Sequence, residues 1–314
     1  MSTKVILRSF LESQAAMIKD GGLDWLDAAS DEITGCGLEG MEDTRFGVLL
    51  SLASRKLGHS AKRSWSLSKS EVDSAGILRE GWNPTHWTAL EAARVHLILS
   101  RMDLELESGA QAIESAFRFA DEGELCALYR SLAHLPGGKR FVWRAAEGCR
   151  TNMVSVFAAD VLDTPYPAEH FDAVAFNQAV IKALFVGVPL HRLWSLDRRL
   201  SADLARMALD LADERRSAGR EISPDLWLCL GTFSGERGLA ALELEIARAP
   251  RLSDEEALFG PRAAVLALGR AGATQRLREI IASGDSSLAP EAELALGGEA
   301  MQHSWSRFVA PTLC

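Results

Sequence analysis

Pro261-Arg-Ala-Ala-Val-Leu-Ala-Leu-Gly269 is echoed by Pro290-Glu-Ala-Glu-Leu-Ala-Leu-Gly297, with the two prolines 29 residues apart and the closing glycines 28. Each block sets proline where a helix can begin, because the missing N–H has no partner there anyway, and glycine where a helix can end. Between them Leu277, Ile280 and Ile281 share one face of a third, amphipathic helix. The same grammar holds further upstream. Ser201 reads as an N-cap with Asp203 in the first turn, Leu204, Met207, Ala208 and Leu211 mark one face, and Arg215, Arg216 and Gly219 close the helix. Ser223-Pro224 opens another helix, and no run alternates with the two-residue period of a strand. The chain is therefore expected to be all-α.

The echo resembles HEAT-type repeats, in which helix pairs stack and bury their apolar faces on one another. An irregular helical bundle that happens to hold two similar Ala/Leu helices is the plainer alternative. Three stretches of one continuous stack are expected: an N-terminal helical region over 1–138, a central core over 139–232 and the repeats over 233–314. Breaks at Pro136-Gly137-Gly138 and at Gly231 to Gly238 mark the seams.

Composition narrows the function classes. Hydrophobic residues make up 47% of 314 and charged residues 25%, which suits a soluble fold and excludes fibrous or disordered classes. A net charge of −9 argues against nucleic acid or an anionic membrane surface as the main partner. The longest apolar tract, Ala173 to Leu190, is broken by Asn177, Gln178 and Lys182, so no direct membrane insertion is expected. Residues 1–22 lack the continuous apolar centre of a signal peptide and read as an amphipathic helix. Five scattered cysteines form neither a disulfide framework nor a CxxC pair, which fits a reducing, cytoplasmic setting. Eight tryptophans against two tyrosines are spread over many helices, as packing residues would be.

Motifs of the commoner enzymes are missing. Gly35-Cys-Gly-Leu-Glu-Gly40 has the letters of a dinucleotide fingerprint, but the segment feeding it is helical, so a glycine-rich helix connection is expected and no cofactor. Ala133 stands where a phosphate loop ending in Gly138-Lys139 needs its first glycine. The seven histidines show no spacing that pairs imidazoles locally, so no metal is expected.

One central stretch carries chemistry. The helix around Phe171 to Val186 is apolar on most sides and should be largely buried, yet it places Asn177 beside Val174, Ile181 and Leu184, and Lys182 one turn after Gln178. A buried amide and a buried ammonium both need partners. On the following helix, striped by Leu190, Leu193, Leu196 and Leu200, Asp197 could supply one. A structural pair between Asp197 and Lys182 or an arginine is the plainer reading. The sharper one is a pocket in which Asn152, Asn177, Lys182, His191, Arg192, Asp197 and Arg198 meet a polar or anionic small molecule, with Trp194 as a wall.

Read together, Arg150-Thr-Asn-Met153, Phe176-Asn-Gln-x-Val-x-Lys-Ala-Leu-Phe-Val-Gly187, Pro189-Leu-x-Arg192, Leu196-Asp-Arg-Arg199, Leu204-Ala-Arg-Met207, Glu214-Arg215 with Ala218-Gly-Arg220, and Ser223-Pro-Asp-Leu-Trp227 resemble the EboA family over roughly 140–232. No motif before residue 130 adds to the likeness. Members are labelled metabolite traffic proteins and are encoded beside prenyltransferase-like, hydrolase-like and cyclase-like proteins. The resemblance implies binding of a small secondary metabolite, prenylated or cyclitol-like in character, and help with its processing or traffic, with other proteins of the same gene cluster as partners. It also implies that Asn152, Asn177, Lys182, Arg192, Asp197 and Arg198 line a pocket. An enzyme of the same pathway, with Lys182 as acid/base and Asp197 orienting it, and a helical scaffold for pathway proteins are the alternatives.

Overall fold

The computed structural model describes residues 2–308 and is all-α. No strand occurs among the described residues, only an isolated antiparallel bridge between Ser64 and Thr88. The chain divides into two compact units, Met1–Phe171 and Asp172–Cys314. No described helix is long and apolar enough to cross a membrane.

The first unit holds α1 (Thr3–Ser13), α2 (Gly22–Gly35), α3 (Asp43–Leu57), α4 (Lys69–Leu78), α5 (Ala89–Ile98), α6 (Glu107–Phe119), α7 (Glu122–Ser131), α8 (Val142–Gly148), α9 (Val154–Val161) and α10 (Tyr166–His170). Every residue of α5 is buried, and α1, α2, α3 and α7 pack around it. Two arginines of this core are neutralised by helix-capping glutamates. Glu91 closes the capping box of α5 with Thr88 and pairs with Arg130, while Glu124 closes that of α7 with Asp121 and pairs with Arg94. The amphipathic N-terminus is shorter than expected, running only as far as Ser13 with Ile6, Leu7, Phe10 and Leu11 inward. The Gly35–Gly40 stretch is a helix connection, as the sequence indicates. Gly37 and Gly40 take left-handed φ of 58° and 75°, and a Cβ on Gly40 would strike the Asp103 carboxylate.

The second unit holds α11 (Ala173–Val186), α12 (Leu196–Arg199), α13 (Ala202–Ser217), α14 (Gly235–Ile246), α15 (Phe259–Arg270), α16 (Thr274–Ala282) and α17 (Ala289–Leu296). The two echoed blocks fall on α15 and α17, which pack against each other, and α15 also packs on α14 and α16. Ser201 caps α13 through its hydroxyl to the Leu204 amide, at 3.2 Å. The face of α13 that is buried runs through Leu204, Ala205, Ala208, Leu209 and Ala212, leaving Met207 and Leu211 half-exposed.

Three local expectations are corrected. The segment opened by Ser223-Pro224 is a six-residue 3-10 turn, Pro224–Cys229, rather than an α-helix. It runs through the core, with Asp225 to Cys229 all buried, and the tighter winding lets Asp225 reach the Leu190 amide. The Leu190-to-Leu200 stripe is not one helix. Ser195 adopts a left-handed φ of 63°, which splits it into a 3-10 turn, Leu190–Arg192, and the single-turn α12. Finally, α11 is not buried all round, since Val174 is 64% exposed and Phe185 68%. Of the tryptophans, Trp65, Trp82, Trp87, Trp227 and Trp305 are core residues, whereas Trp143 is exposed. Cys314 lies outside the described residues.

Candidate functional site

The motif-bearing turn of the second unit is built from its caps outward. Asp172 accepts the Ala175 amide at 2.8 Å and starts α11, and Gly187, at φ 80°, ends it. On that helix Asn177 is buried and Lys182 half-buried. His191 and Arg192, both half-buried, occupy the 3-10 turn that follows, and Trp194 lies beside Arg198, whose guanidinium sits 5.9 Å from the indole centroid. Arg199 covers Phe176 at 4.4 Å and donates to the Asp172 carbonyl.

Asp197 finds its cation outside this stretch. Arg270, at the end of α15, donates to its Oδ1 at 2.6 Å, and the Gln302 amide donates to its Oδ2 at 3.2 Å. The expected arginine pair therefore exists, with an arginine supplied by the repeat region.

Gln302 does more than this. Its side-chain amide nitrogen lies 3.3, 3.1 and 2.6 Å from the carbonyls of Leu190, His191 and Leu193, and its side-chain oxygen accepts the Asp197 amide at 3.3 Å. A single side chain thus ties both halves of the broken Leu190-to-Leu200 stripe. Trp305 extends the clasp by donating to the Pro224 carbonyl at 3.1 Å, and Arg270 lies over its ring. From below, the buried Asp225 carboxylate accepts the Leu190 amide at 2.8 Å, and burial pushes its pKa up to about 6. A cleft of about 360 Å³ opens beside the turn, lined among others by Asp197, Leu200, Phe233, Arg270 and Met301.

Asn152 belongs to the first unit, where it is exposed in the loop before α9. That unit has two larger hollows. One, of about 840 Å³, sets Lys4, Arg79, Arg101, His134 and Glu169 among apolar wall residues such as Leu78, Leu99 and Leu135. Charges there pair off, Arg101 with Asp103 and Arg79 with Glu169, and burial lowers the His134 pKa to about 3. The other, of about 750 Å³, lies between α3, α6 and α7, and its walls mix apolar side chains such as Val48, Leu52, Phe119 and Leu128 with Asp43, Ser51, Ser54, Arg55 and Glu124. Among the described residues no three His, Cys, Asp or Glu side chains gather as metal ligands would.

Sequence reasoning missed Arg270 and Gln302 because they stand 73 and 105 residues from Asp197, and only the folded chain joins them. Asp225 did carry a signal, inside the Ser223-Pro-Asp-Leu-Trp227 motif. The first-unit hollows had none, their walls being contributed by segments far apart in the sequence.

A family model described as metabolite traffic protein EboA matches residues 3–231. The likeness therefore extends through the whole first unit, well beyond the central stretch whose motifs first suggested it. Neither a curated protein nor a solved structure matches the chain.

Proposed function

The chain belongs to the EboA family, and on that premise we propose that it binds a small secondary metabolite, prenylated or cyclitol-like in character, and assists its processing or traffic together with other proteins of its gene cluster. The observation that carries this reading is the family match over residues 3–231, whose description is metabolite traffic. The motif turn supports it physically. A loop that holds a non-glycine residue in the left-handed region, and is fixed from two sides by Gln302 and Asp225, is preorganised in the way that binding loops are.

Within the second unit, Asn177, Lys182, His191, Arg192, Trp194, Asp197 and Arg198 are the proposed ligand contacts. Asn152 is not included. Lys182→Met and Arg192→Met preserve side-chain bulk while removing charge. Purified from cells that make the cluster's product, each variant should melt near the parent temperature and carry at least tenfold less metabolite by mass spectrometry of the extracted protein. Unfolding of both variants would make these residues structural and end the proposal for this site.

A further inference from the structure

We propose that the hollow between α3, α6 and α7 is a binding site for a small, uncharged and largely apolar molecule that carries one hydrogen-bond donor, a hydroxyl or an N–H, at its polar end. The inference rests on the metabolite-binding reading and gives it a second location and a ligand class.

Size and lining come first. About 750 Å³ lies within the roughly 300–1,000 Å³ of small-molecule sites, which are mostly apolar with a few placed polar groups. Val48, Leu52, Ala116 and Leu128 supply the apolar wall, and Phe119, 81% exposed, stands at it with its ring in water. Covering a phenylalanine from water is worth about 1.5–3 kcal/mol, so an apolar occupant is favoured.

Polar groups then select the end of the ligand. Ser51 donates its single hydroxyl proton to Glu124 Oε1 at 2.7 Å, and Ser54 donates its own to the Ser51 carbonyl at 3.0 Å. Both hydroxyls can therefore only accept from a guest. The Glu124 carboxylate is itself held by the buried Arg94, whose Nε also donates to the Leu50 carbonyl at 3.1 Å. Charge balances around the hollow, with Asp43 and Glu124 against Arg55 and Arg94, which favours an uncharged guest over an anion or a cation.

Gly47 supplies the means of testing this. It sits inside α3 at the wall of the hollow with no left-handed φ, and a Cβ there would meet nothing within 4 Å. Neither backbone nor packing requires glycine at this position, and alanine would favour the helix by about 1 kcal/mol. A leucine is accommodated there at its Cβ and is expected to extend into the hollow.

N-phenyl-1-naphthylamine, uncharged and bearing one N–H, is the probe. The full chain should bind it saturably at one site, Gly47→Ala should keep that binding, Gly47→Leu should weaken it at least tenfold with an unchanged or higher Tm, and Ser51→Ala should weaken it about three- to tenfold. Unchanged probe affinity in Gly47→Leu, or equally tight binding of the anionic 8-anilinonaphthalene-1-sulfonate, overturns the site or its ligand class. The same variant isolated from producing cells separates the two readings. A Gly47→Leu chain that keeps the parent's metabolite but loses the probe supports the hollow as a site separate from the motif turn. One that keeps both refutes the hollow and leaves metabolite binding standing, and a parent chain without metabolite refutes the functional reading while the probe still decides the site.

Discussion

Replacing Gln302 by alanine removes the clasp on the motif turn and nothing else of comparable size. The side chain makes four contacts with that turn, but its amide has only two protons to share among the carbonyls of Leu190, His191 and Leu193, so two donated bonds and one accepted from the Asp197 amide can be lost together. At about 0.5–1.5 kcal/mol net per bond the loss is about 1.5–4.5 kcal/mol. The backbone amide of residue 302 still reaches Asp197, and the carbonyls of Leu190 and Leu193 keep the amides of Leu193 and Leu196, which places the expected value near the middle, about 2–3 kcal/mol. At tenfold per 1.4 kcal/mol, hydrogen exchange of the Leu193, Leu196 and Asp197 amides should accelerate by about 30- to 150-fold. Exchange in α5, in the other unit, should not change. Gln302→Glu should act more strongly, because a carboxylate would face three carbonyls and the Asp197 carboxylate. Unaltered exchange over 190–197 in Gln302→Ala would refute the clasp.

Two further expectations concern buried titratable groups. Burial raises the Asp225 pKa from 3.8 to about 6, so its contribution to stability is largest below 3.8 and is lost as pH rises to about 6. Asp225→Asn, which can still accept the Leu190 amide, should stabilise the protein by about 1–3 kcal/mol at pH 7 and by little at pH 4, as read by urea unfolding at both values. His96 behaves with the opposite sign. Burial lowers its pKa from 6.5 to about 4 while Nδ1 lies 3.0 Å from the Lys4 carbonyl, so stability present above 6.5 is lost as pH falls through that window. Its ring protons should show no NMR titration between pH 8 and 5 and a midpoint near 4, and a midpoint near 6.5 would contradict its burial.

Much of the fold was legible because local signals and tertiary structure agree. Ser201 and Gly187 sit at helix ends where their chemistry places them, and the proline–glycine bracketing of 261–269 and 290–297 marks real helices. The errors arise where tertiary contacts override local pattern. Leucine spacing from 190 to 200 suits one helix, but Ser195 turns left-handed and Gln302 fixes the two halves in that broken arrangement. Ser223-Pro224 starts a helix of the wrong pitch, because Asp225 is drawn to Leu190. The site was only half readable. Asp197 was recognisable as a charged group needing a partner, yet Arg270 and Gln302 lie in a region that sequence alone ties to generic repeats. Ser51 and Glu124 were invisible, since Glu124 reads as an ordinary capping-box residue of α7 until α3 packs against it.

The claim that this chain carries a metabolite is tested most directly by native mass spectrometry of the protein gently isolated from cells with the gene cluster intact. The account predicts at least one small molecule per chain, released on denaturation. A bare chain, or a chain found only with other proteins and no small molecule, would contradict it.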